Sequence, residues 1–232
     1  MTRRRSPHGA ASQCFAVTVE PVVLTVRGGR LEALLARRQG APFASAWALP
    51  GDAVGLDEDL DDAARRVSTA AAGLPVAHLE QLGTYGRPDR DPRGRVVSVA
   101  YLALLPVGAD PAAPAAARGG ELVAVESLVQ GSSPVAFDHR RILRDAAERA
   151  RSKLEYTTLA AALLPEEFTI GDLRRVYESV WGVSLHHSNF ARKVRSVPGF
   201  VTPTGRRTPT SGAPELFRKG PAAIMMPPLM RP

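Results

Sequence analysis

The sequence predicts an α+β fold in two parts: an α/β/α sandwich, followed by a smaller unit of helices and a basic hairpin. Short runs rich in β-branched and aromatic residues, separated by turn residues, extend to about residue 125 and predict strands. Apolar residues three or four apart predict an amphipathic helix over Leu60 to Leu74 and another over Asp138 to Leu154. Beyond residue 165, two further helical patterns lead into an arginine-rich end, which predicts the second unit.

The predicted strands surround the first helix in the sequence, and glycines mark the turns. Gly28 and Gly29 separate two apolar runs and predict a hairpin. The Ala/Pro/Gly-rich segment Val107 to Gly120 is predicted to be an exposed and poorly ordered loop. The strands are expected at Phe15 to Val26, Leu31 to Arg38, Trp47 to Leu49, His78 to Tyr85, Arg95 to Leu105 and Glu121 to Val125.

The second unit has the pattern of a winged helix-turn-helix. Thr169 and Asp172 form a T-x-x-D capping box that opens a helix, and Gly182 ends it. A second helix is expected over His187 to Ser196, preceded by a short apolar one at Leu159 to Leu164. Strands at Phe200 to Thr202 and Pro214 to Phe217 are expected to pair as a basic hairpin. Helix, turn, helix and hairpin in this order are typical of DNA-binding modules.

The net charge of the chain lies at its C-terminal end. The 232 residues carry a formal charge of +7. From His187 onward, eight lysines and arginines face one acid, Glu215, so that 8 − 1 = +7 and the rest of the chain sums to zero. A neutral body with a basic end favours a nucleic acid partner, although a solvated face without function has the same composition.

Composition excludes several other classes of protein. A lone Cys14 excludes an internal disulfide and a cysteine-based metal cluster. No apolar run approaches the roughly 18 residues of a membrane span, so no membrane partner is expected. Arg3, Arg4 and Arg5 precede no apolar core of a signal peptide. We therefore expect a cytoplasmic protein.

The stretch from Leu49 to Leu74 resembles the box of Nudix hydrolases, G-x5-E-x7-R-E-U-x-E-E-x-G-U with U apolar. Glu58, Arg66, Gly73 and Leu74 match it. Asp52 replaces the first glycine, and the three glutamates are replaced by Val67, Ala70 and Ala71.

This departure from the box bears on catalysis. The enzymes of the family need those glutamates because magnesium takes hard oxygen ligands in octahedral geometry. We therefore expect no enzymatic activity, no metal and no cofactor. The alternative is a Nudix hydrolase of nucleoside diphosphates such as ADP-ribose, in which Glu58 holds a metal with Asp57, Asp61 or Asp62; the same acids also suit the N-terminal end of a helix dipole.

A more specific resemblance extends from Phe15 to Lys219. It rests on the segments PDRDPRGRVVSVAYLALLP, AFDHRRILRDAAERARSKLEYT and LLPEEFTIGDLRRVYESVWG, together with the basic hairpin. These resemble the Nudix-related transcriptional regulators of bacterial NAD metabolism. The resemblance implies a Nudix-like sensor of ADP-ribose or a related nucleotide over residues 13–155, and a winged helix-turn-helix over 156–219. It also implies a homodimeric repressor. Residues 220–232, rich in proline and methionine, are expected to be a disordered tail or a partner-binding extension.

The second helix of the basic unit carries the candidate base-contacting residues. Arginine contacts guanine and asparagine contacts adenine in bidentate fashion, so Asn189, Arg192 and Lys193 would enter the major groove. One helix contacts few bases, so two copies on a palindromic double-stranded operator are expected. The full candidate set is Ser188, Asn189, Arg192, Lys193, Arg195, Thr204, Arg206 and Arg207. A protein-contact surface on this helix is the alternative interpretation. RNA binding or a scaffolding role is a further one, although aromatic content is only 6%.

The candidate ligand residues lie in the first unit. Guanidinium groups match phosphate geometry, so Arg37, Arg66, Arg93 and Arg95 are candidate phosphate partners. Trp47 and Tyr101 are candidate platforms for adenine, although core positions are the commoner role of such residues. A sugar phosphate as ligand, or no ligand, remains an alternative to ADP-ribose.

Overall fold

A computed structural model describes residues 14–109, 120–209 and 213–232 of the chain. The predicted segment 107–120 and the turn of the basic hairpin therefore lie partly outside the described residues. The long strand β1 (Ala16–Arg27) forms an antiparallel hairpin with β2 (Arg30–Arg37). Gly28 and Gly29 connect them with φ of 56° and 75°, a region that favours glycine, so the predicted hairpin is confirmed.

The main sheet is mixed and has the order β3-β2-β1-β6-β5. β1 runs parallel to β6 and antiparallel to β4, while β7 pairs with β2. Except for β4, each strand was predicted from the sequence. The remaining strands are β3 (Trp47–Ala48), β4 (Asp52–Ala53), β5 (His78–Tyr85), β6 (Val96–Leu104) and β7 (Gly120–Ala124).

Helix α1 (Leu60–Ala72) covers one face of this sheet. The Asp59 carboxylate caps its first turn by accepting the Asp61 backbone N–H, and Gly73 ends it with φ of 71°. Its buried residues Ala63, Ala64 and Val67 pack against side chains of β1 and β6. The periodicity of apolar residues therefore predicted the helix and the centre of its buried face, whereas Ala70 of the predicted face is exposed and Ser68 and Ala72 are buried.

Helices α2 (Val125–Val129) and α3 (His139–Tyr156) cover the opposite face. Ile142, Leu143 and Ala146 of α3 belong to the same buried cluster as Val22 and Leu24 of β1. Two helical layers enclose the sheet, so the α/β/α sandwich is confirmed. The short helix α2 was not predicted, because its five residues are too few to show a helical period.

The second unit is a winged helix-turn-helix. It contains α4 (Leu159–Ala162), α5 (Ile170–Trp181), α6 (His187–Ser196) and a two-stranded wing, β8 (Val201–Arg207) with β9 (Glu215–Lys219). The predicted capping box is formed by Thr169 and Asp172, and Gly182 ends α5 with φ of 71°. Tyr177 packs edge-on against both Trp181 and Phe190, which fixes α6 against α5.

The two units share one hydrophobic core within the described residues. Leu154 of α3, Leu173 and Tyr177 of α5 and Phe217 of the wing belong to the same buried cluster as the sheet residues. Arg151 also donates through Nε to the carbonyl of Val180 at 3.0 Å. The two units are therefore packed against each other at the junction. The division at residue 155 stays a prediction.

The structure contradicts the prediction of a disordered tail for residues 220–232. Met225 and Leu229 are buried, and Ile224 forms an isolated bridge with Thr157. Two anchoring apolar residues in a proline-rich segment are enough to fix it, although its composition is typical of disorder. No helix of the described residues is long and apolar enough to cross a membrane.

Candidate functional site

Helix α6 presents one charged face to solvent. Phe190 and Val194 are its buried residues, and they hold it against α5. The candidate base-contacting residues are all exposed: Ser188, Asn189, Arg192, Lys193 and Arg195. The structure thus brings the predicted set together on one surface, with a shallow hollow that involves Ser188, Arg192 and Ser196.

This exposed surface of α6 has two flanks. On one flank, Arg195 forms an ion pair with Glu215 of the wing at 3.5 Å, and its guanidinium lies over the ring of Phe217. On the other flank, Asn189 and Lys193 border a crevice beside the C-terminal segment. Arg192 lies 3.3 Å from the Asn189 side-chain oxygen and is otherwise exposed.

The wing contains arginines that are held by acidic residues. Arg206 lies 3.1 Å from a Glu167 carboxylate oxygen, and Arg218 lies 2.8 Å from the other oxygen of the same group. Arg207 donates to the Ala213 carbonyl at 3.0 Å. The Thr204 hydroxyl donates to the Leu216 carbonyl, so this candidate DNA contact is occupied inside the hairpin. The sequence did not indicate that Glu167 pairs with two of the wing arginines.

A cavity of about 290 Å³ lies where α1 meets the sheet. We call it the α1 cavity. Val67, Ala70 and Ala71, which replace the glutamates of the Nudix box, line it together with Arg66 and Asp52. A magnesium ion needs several carboxylate oxygens, and this wall of the cavity supplies methyl groups instead. The residues present therefore do not fit the metal that the Nudix box would hold.

Arg66 forms ion pairs with the carboxylates that remain beside the α1 cavity. Its guanidinium contacts Glu58 through Nε and Nη2, both at 2.8 Å, and Asp52 through Nη1 at 2.8 Å. The hydrogen bond from Arg66 lowers the pKa of Glu58 to about 2. Arg66, predicted as a phosphate partner, already pairs with two acids, so a phosphate would have to displace them.

A second cavity, of about 410 Å³, contains Arg93 and Arg95 together with Phe137. We call it the arginine cavity. The Arg93 guanidinium lies 5.4 Å from the centre of the Phe137 ring, and that of Arg38 lies 4.8 Å from it. Arg95 donates to the Gly86 carbonyl at 2.7 Å. An aromatic face beside several guanidinium groups suits an anionic ligand with an aromatic ring, such as a nucleotide.

The aromatic pair at this cavity has an unusual backbone. Phe43 and Phe137 meet edge to face at 4.9 Å. Both have positive φ, 63° and 52°, as does Ser45 at 65°. A bulky residue in this region costs roughly 1–3 kcal/mol, and such strain clusters at binding sites. Phe43 nevertheless leaves 43% of its surface exposed.

A buried ionic network closes the base of the arginine cavity. Arg90 donates to Glu20 at 3.0 Å and to Asp138 at 2.7 Å, and its side chain is 2% exposed. His139 accepts the Leu49 backbone N–H through Nδ1, and its Nε2 faces Glu20 at 3.4 Å. Burial raises the pKa of Glu20, but His139 and Arg90 outweigh it and hold that pKa below the ordinary value.

This network also explains the glycine at position 51. A Cβ atom on Gly51 would lie 3.1 Å from Cγ of Glu20 and 3.2 Å from the Val19 carbonyl. Gly51 lines the α1 cavity, and Glu20 lines the arginine cavity. The close approach of these two residues therefore connects the walls of the two cavities. Any side chain at position 51 would disturb both.

The structure contradicts the prediction that Trp47 and Tyr101 are platforms for adenine. Both are buried, at 5% and 1% exposure. The Arg37 guanidinium lies 3.7 Å from the centre of the Trp47 ring and covers one of its faces. The Tyr101 hydroxyl donates to Asp61 at 2.6 Å. Trp47 and Tyr101 are core residues here, and Arg37 is engaged with Trp47.

Sequence reasoning missed the aromatic part of the site. Phe137 lies far along the chain from Arg38 and Phe43, and nothing in the local pattern of either segment connects them. The segment AFDHRR, which contributed to the resemblance, contained the only local signal for Phe137, Asp138 and His139. The predicted residues Arg93 and Arg95 do lie in the same cavity.

Comparisons with known proteins agree with this architecture. The family model for the NUDIX domain matches residues 18–146, and the model for the NrtR DNA-binding winged helix domain matches residues 160–218. The chain is 34% identical over 180 residues to the ADPR responsive transcriptional repressor NtrR of Acinetobacter baylyi, covering 77% of this chain and 71% of that protein. It is 35% identical over 112 residues to the ADP-ribose pyrophosphatase of Methanocaldococcus jannaschii, covering 48% and 63%.

Solved structures show the same likeness. The crystal structure of Shewanella oneidensis NrtR with a 27mer DNA superposes with a TM-score of 0.77 at 29% identity, covering 88% of this chain and 94% of that one. The NUDIX domain of that protein, crystallised with ADP ribose, gives a TM-score of 0.50 at 27% identity, covering 63% and 94%. Both parts of the chain therefore have counterparts of known structure.

Proposed function

The chain belongs to the Nudix family, and within it to the NrtR-type regulators that carry a winged helix domain; from this premise we propose that it is a transcriptional repressor responsive to ADP-ribose or a related nucleotide. The observation that carries the proposal is the exposed basic face of α6 beside a basic wing, in a unit that packs against the Nudix domain.

The DNA contact follows from the shape and charge of this surface. The ten residues of α6 span about 15 Å, and an α-helix fits the major groove of B-DNA. Arg192 and Ser188 would face base edges, while Arg206 and Arg207 of the wing would contact phosphates. The wing would thereby supply affinity, and α6 would supply the sequence preference.

A homodimer on a palindromic operator completes this proposal. One recognition helix contacts only a few bases, so a single copy would discriminate poorly between sequences. Two copies related by a two-fold axis would place their α6 helices about one turn of DNA apart. We place the sensor in residues 13–155 and the DNA-binding domain in 156–219. A repressor of this kind would act on chromosomal DNA in the cytoplasm.

The nucleotide would occupy the arginine cavity and its aromatic rim. An adenine could stack on Phe43 or Phe137, and phosphates could pair with Arg93, Arg38 and Arg95, in keeping with the ADP ribose bound by the Shewanella oneidensis NUDIX domain. Binding without hydrolysis is consistent with the α1 cavity, where apolar side chains stand in place of the metal-binding glutamates. In this proposal the Nudix domain is a sensor and not an enzyme.

Hydrolysis of ADP-ribose is the alternative function, and the pyrophosphatase of Methanocaldococcus jannaschii is the observation in its favour. Catalysis would require Glu58 and Asp52 to leave Arg66 and bind a metal together. Two carboxylates on a wall of methyl groups offer a magnesium ion fewer oxygen ligands than it takes. Incubation with ADP-ribose and Mg²⁺ or Mn²⁺, followed by chromatography, separates the two functions: turnover that Glu58→Gln abolishes would favour the hydrolase.

The DNA part of the proposal is tested with the intergenic DNA upstream of the protein's own gene. Arg192→Ala should weaken operator binding by about 1–3 kcal/mol and relax the base preference, because a bidentate contact is lost. Arg206→Ala with Arg207→Ala should weaken all duplexes alike and flatten the salt dependence. Equal losses on operator and random DNA from both variants would contradict base contact by Arg192.

The ligand part is tested by titrating ADP-ribose into the preformed operator complex at fixed salt. Linkage requires the ligand to shift DNA affinity by the factor by which DNA shifts ligand affinity, typically about 5–150-fold. We expect ADP-ribose to loosen the complex. Binding of ADP-ribose by the free protein with no change in operator affinity would refute the sensor role.

A further inference from the structure

The C-terminal segment after the wing returns to the first unit and binds α3. The Met225 N–H donates to the Tyr156 carbonyl at 2.8 Å, and the Leu229 N–H donates to the Glu155 carbonyl at 2.9 Å. These bonds satisfy carbonyl groups at the end of α3 that have no partner within the helix. The segment is thus held by backbone bonds and not only by side-chain contacts.

Arg231 adds a charged anchor to the same helix. Its guanidinium lies 2.8 Å from Glu148 and 3.5 Å from Glu155, both on α3. The hydrogen bond from Arg231 lowers the pKa of Glu148, as expected for a stable pair. Because only 32% of the Arg231 side chain is exposed, solvent screens this pair less than a fully exposed one.

The other side of the segment faces α5 and α6. Met225 is 1% exposed, and its sulfur lies 3.9 Å from the Tyr177 hydroxyl. Leu229 is 3% exposed and borders a crevice of about 180 Å³ whose wall includes Phe190 and Lys193 of α6. Phe190 is also the residue that packs on Tyr177. The segment therefore contacts α3 on one side and Tyr177 of α5 on the other, where it shares the crevice with Phe190 and Lys193 of α6.

We propose that residues 225–231 form a brace that positions α6 on α3, which makes Leu229 and Arg231 positioning residues for DNA binding. A first connection between the units runs through Arg151 and Trp181, whose Nε1 donates to the Arg151 carbonyl at 3.2 Å. That connection holds the end of α5, whereas the brace borders α6 across the crevice and contacts Tyr177, on which Phe190 of α6 packs. The inference rests on the proposed function, because it gives the C-terminal segment a role in operator recognition. The family model of the winged helix ends at residue 218, before the brace begins.

Hydrogen exchange in the full-length protein tests the brace without reference to DNA. Leu229→Ala with Arg231→Ala should raise the exchange of α6 amides by at least about tenfold, because a buried leucine and an ion pair that limit opening are lost. Amides of β1 and β6 should keep their protection. Met226→Ala is the matched control, since this neighbouring side chain is 77% exposed and should change nothing.

Operator affinity then tests the positioning role. The double variant should bind its operator about tenfold more weakly and lose most of the response to ADP-ribose, while its ADP-ribose affinity is unchanged. Arg231→Ala alone should show a smaller loss in the same direction and provides the test if the double variant does not fold. Arg231→Lys should restore part of the affinity, because it keeps the charge.

The outcomes separate the brace from the proposed function. Unchanged exchange of α6 in a folded variant overturns the brace, whether or not the protein binds DNA. Increased exchange with unchanged operator affinity also overturns the positioning role, because the segment would then only support the fold. A wild-type protein that binds no operator DNA refutes the proposed function, and hydrogen exchange still decides whether 225–231 holds α6.

Discussion

Glu167 offers the sharpest test of how the wing meets DNA, because it holds two of the cations that phosphates would attract. Its carboxylate lies 3.1 Å from Arg206 and 2.8 Å from Arg218, and only 18% of its side chain is exposed. A Glu167→Gln substitution keeps the size of the side chain and removes its charge. We expect this variant to bind DNA more tightly than the wild type.

The magnitude follows from the two ion pairs. Each exposed or half-exposed ion pair stabilises the free protein by about 0.2–1 kcal/mol. Binding of both arginines to phosphate in the wild type has to break both pairs, at a cost of about 1 kcal/mol, and the variant does not have this cost. Since 1.4 kcal/mol corresponds to a factor of ten, affinity should rise by about fivefold. If each arginine then neutralises one more phosphate, the slope of log K against log salt should steepen by up to about 1.8.

Fluorescence anisotropy with a labelled operator duplex, repeated over a series of salt concentrations, measures both quantities. The matched control is Glu166→Gln, since Glu166 is 81% exposed and its ion pair among the described residues is with Arg218, at 3.6 Å. It should change affinity by less than about twofold. Unchanged or weaker binding by the Glu167→Gln variant, with an unchanged salt slope, would refute the argument that these arginines contact the DNA backbone.

Three further expectations concern the first unit. Phe137→Ala should weaken ADP-ribose binding, measured by calorimetry, by about tenfold, because a stacking and cation–π surface is lost. Leu56→Ala is the control, because this side chain is fully exposed and does not line the arginine cavity. Gly51→Ala should lower the melting temperature, because its Cβ would lie 3.1 Å from Glu20, whereas an alanine at the open Gly40 should not. The pKa of Glu58 falls from 4.5 to about 2 on folding, so its pair with Arg66 stabilises the protein above about pH 4.5 and is lost as pH falls toward 2. The difference in melting temperature between wild type and Glu58→Gln should therefore be constant near neutral pH and vanish near pH 2.

The elements with a regular apolar period were predictable from the sequence. The three-and-four spacing in Ala63, Ala64 and Val67 identified α1 and its buried face, and the T-x-x-D pattern identified the start of α5. The exposed face of α6 followed from the burial of Phe190 and Val194. These features depend on local spacing, which a single sequence contains.

The ligand residues were less predictable because their roles depend on where each side chain points in the folded protein. Tyr101 lies in VVSVAYLAL, an almost continuous apolar run, and such a run is typical of a strand buried on both faces. That signal argued for a core tyrosine. Phe43 and Phe137 meet only through the tertiary fold, and their positive φ angles have no local sequence signature. The partner of Met225 and Leu229 is α3, so the composition of their own segment could not indicate that they are fixed.

The hydrophobic core shared by the two units limits whether either unit can be expressed alone and whether one of them can be exchanged for another domain. Leu154, Leu173 and Tyr177 belong to one buried cluster that spans the junction. Cutting the chain there would therefore expose apolar surface on both fragments. A winged helix expressed alone would lose part of its own interior. Exchanging the sensor for an unrelated one would require a helix with the same apolar face as α3. Apolar residues on the two sides of the junction are therefore expected to depend on one another, so a substitution on α3 should alter the effect of a substitution on α5.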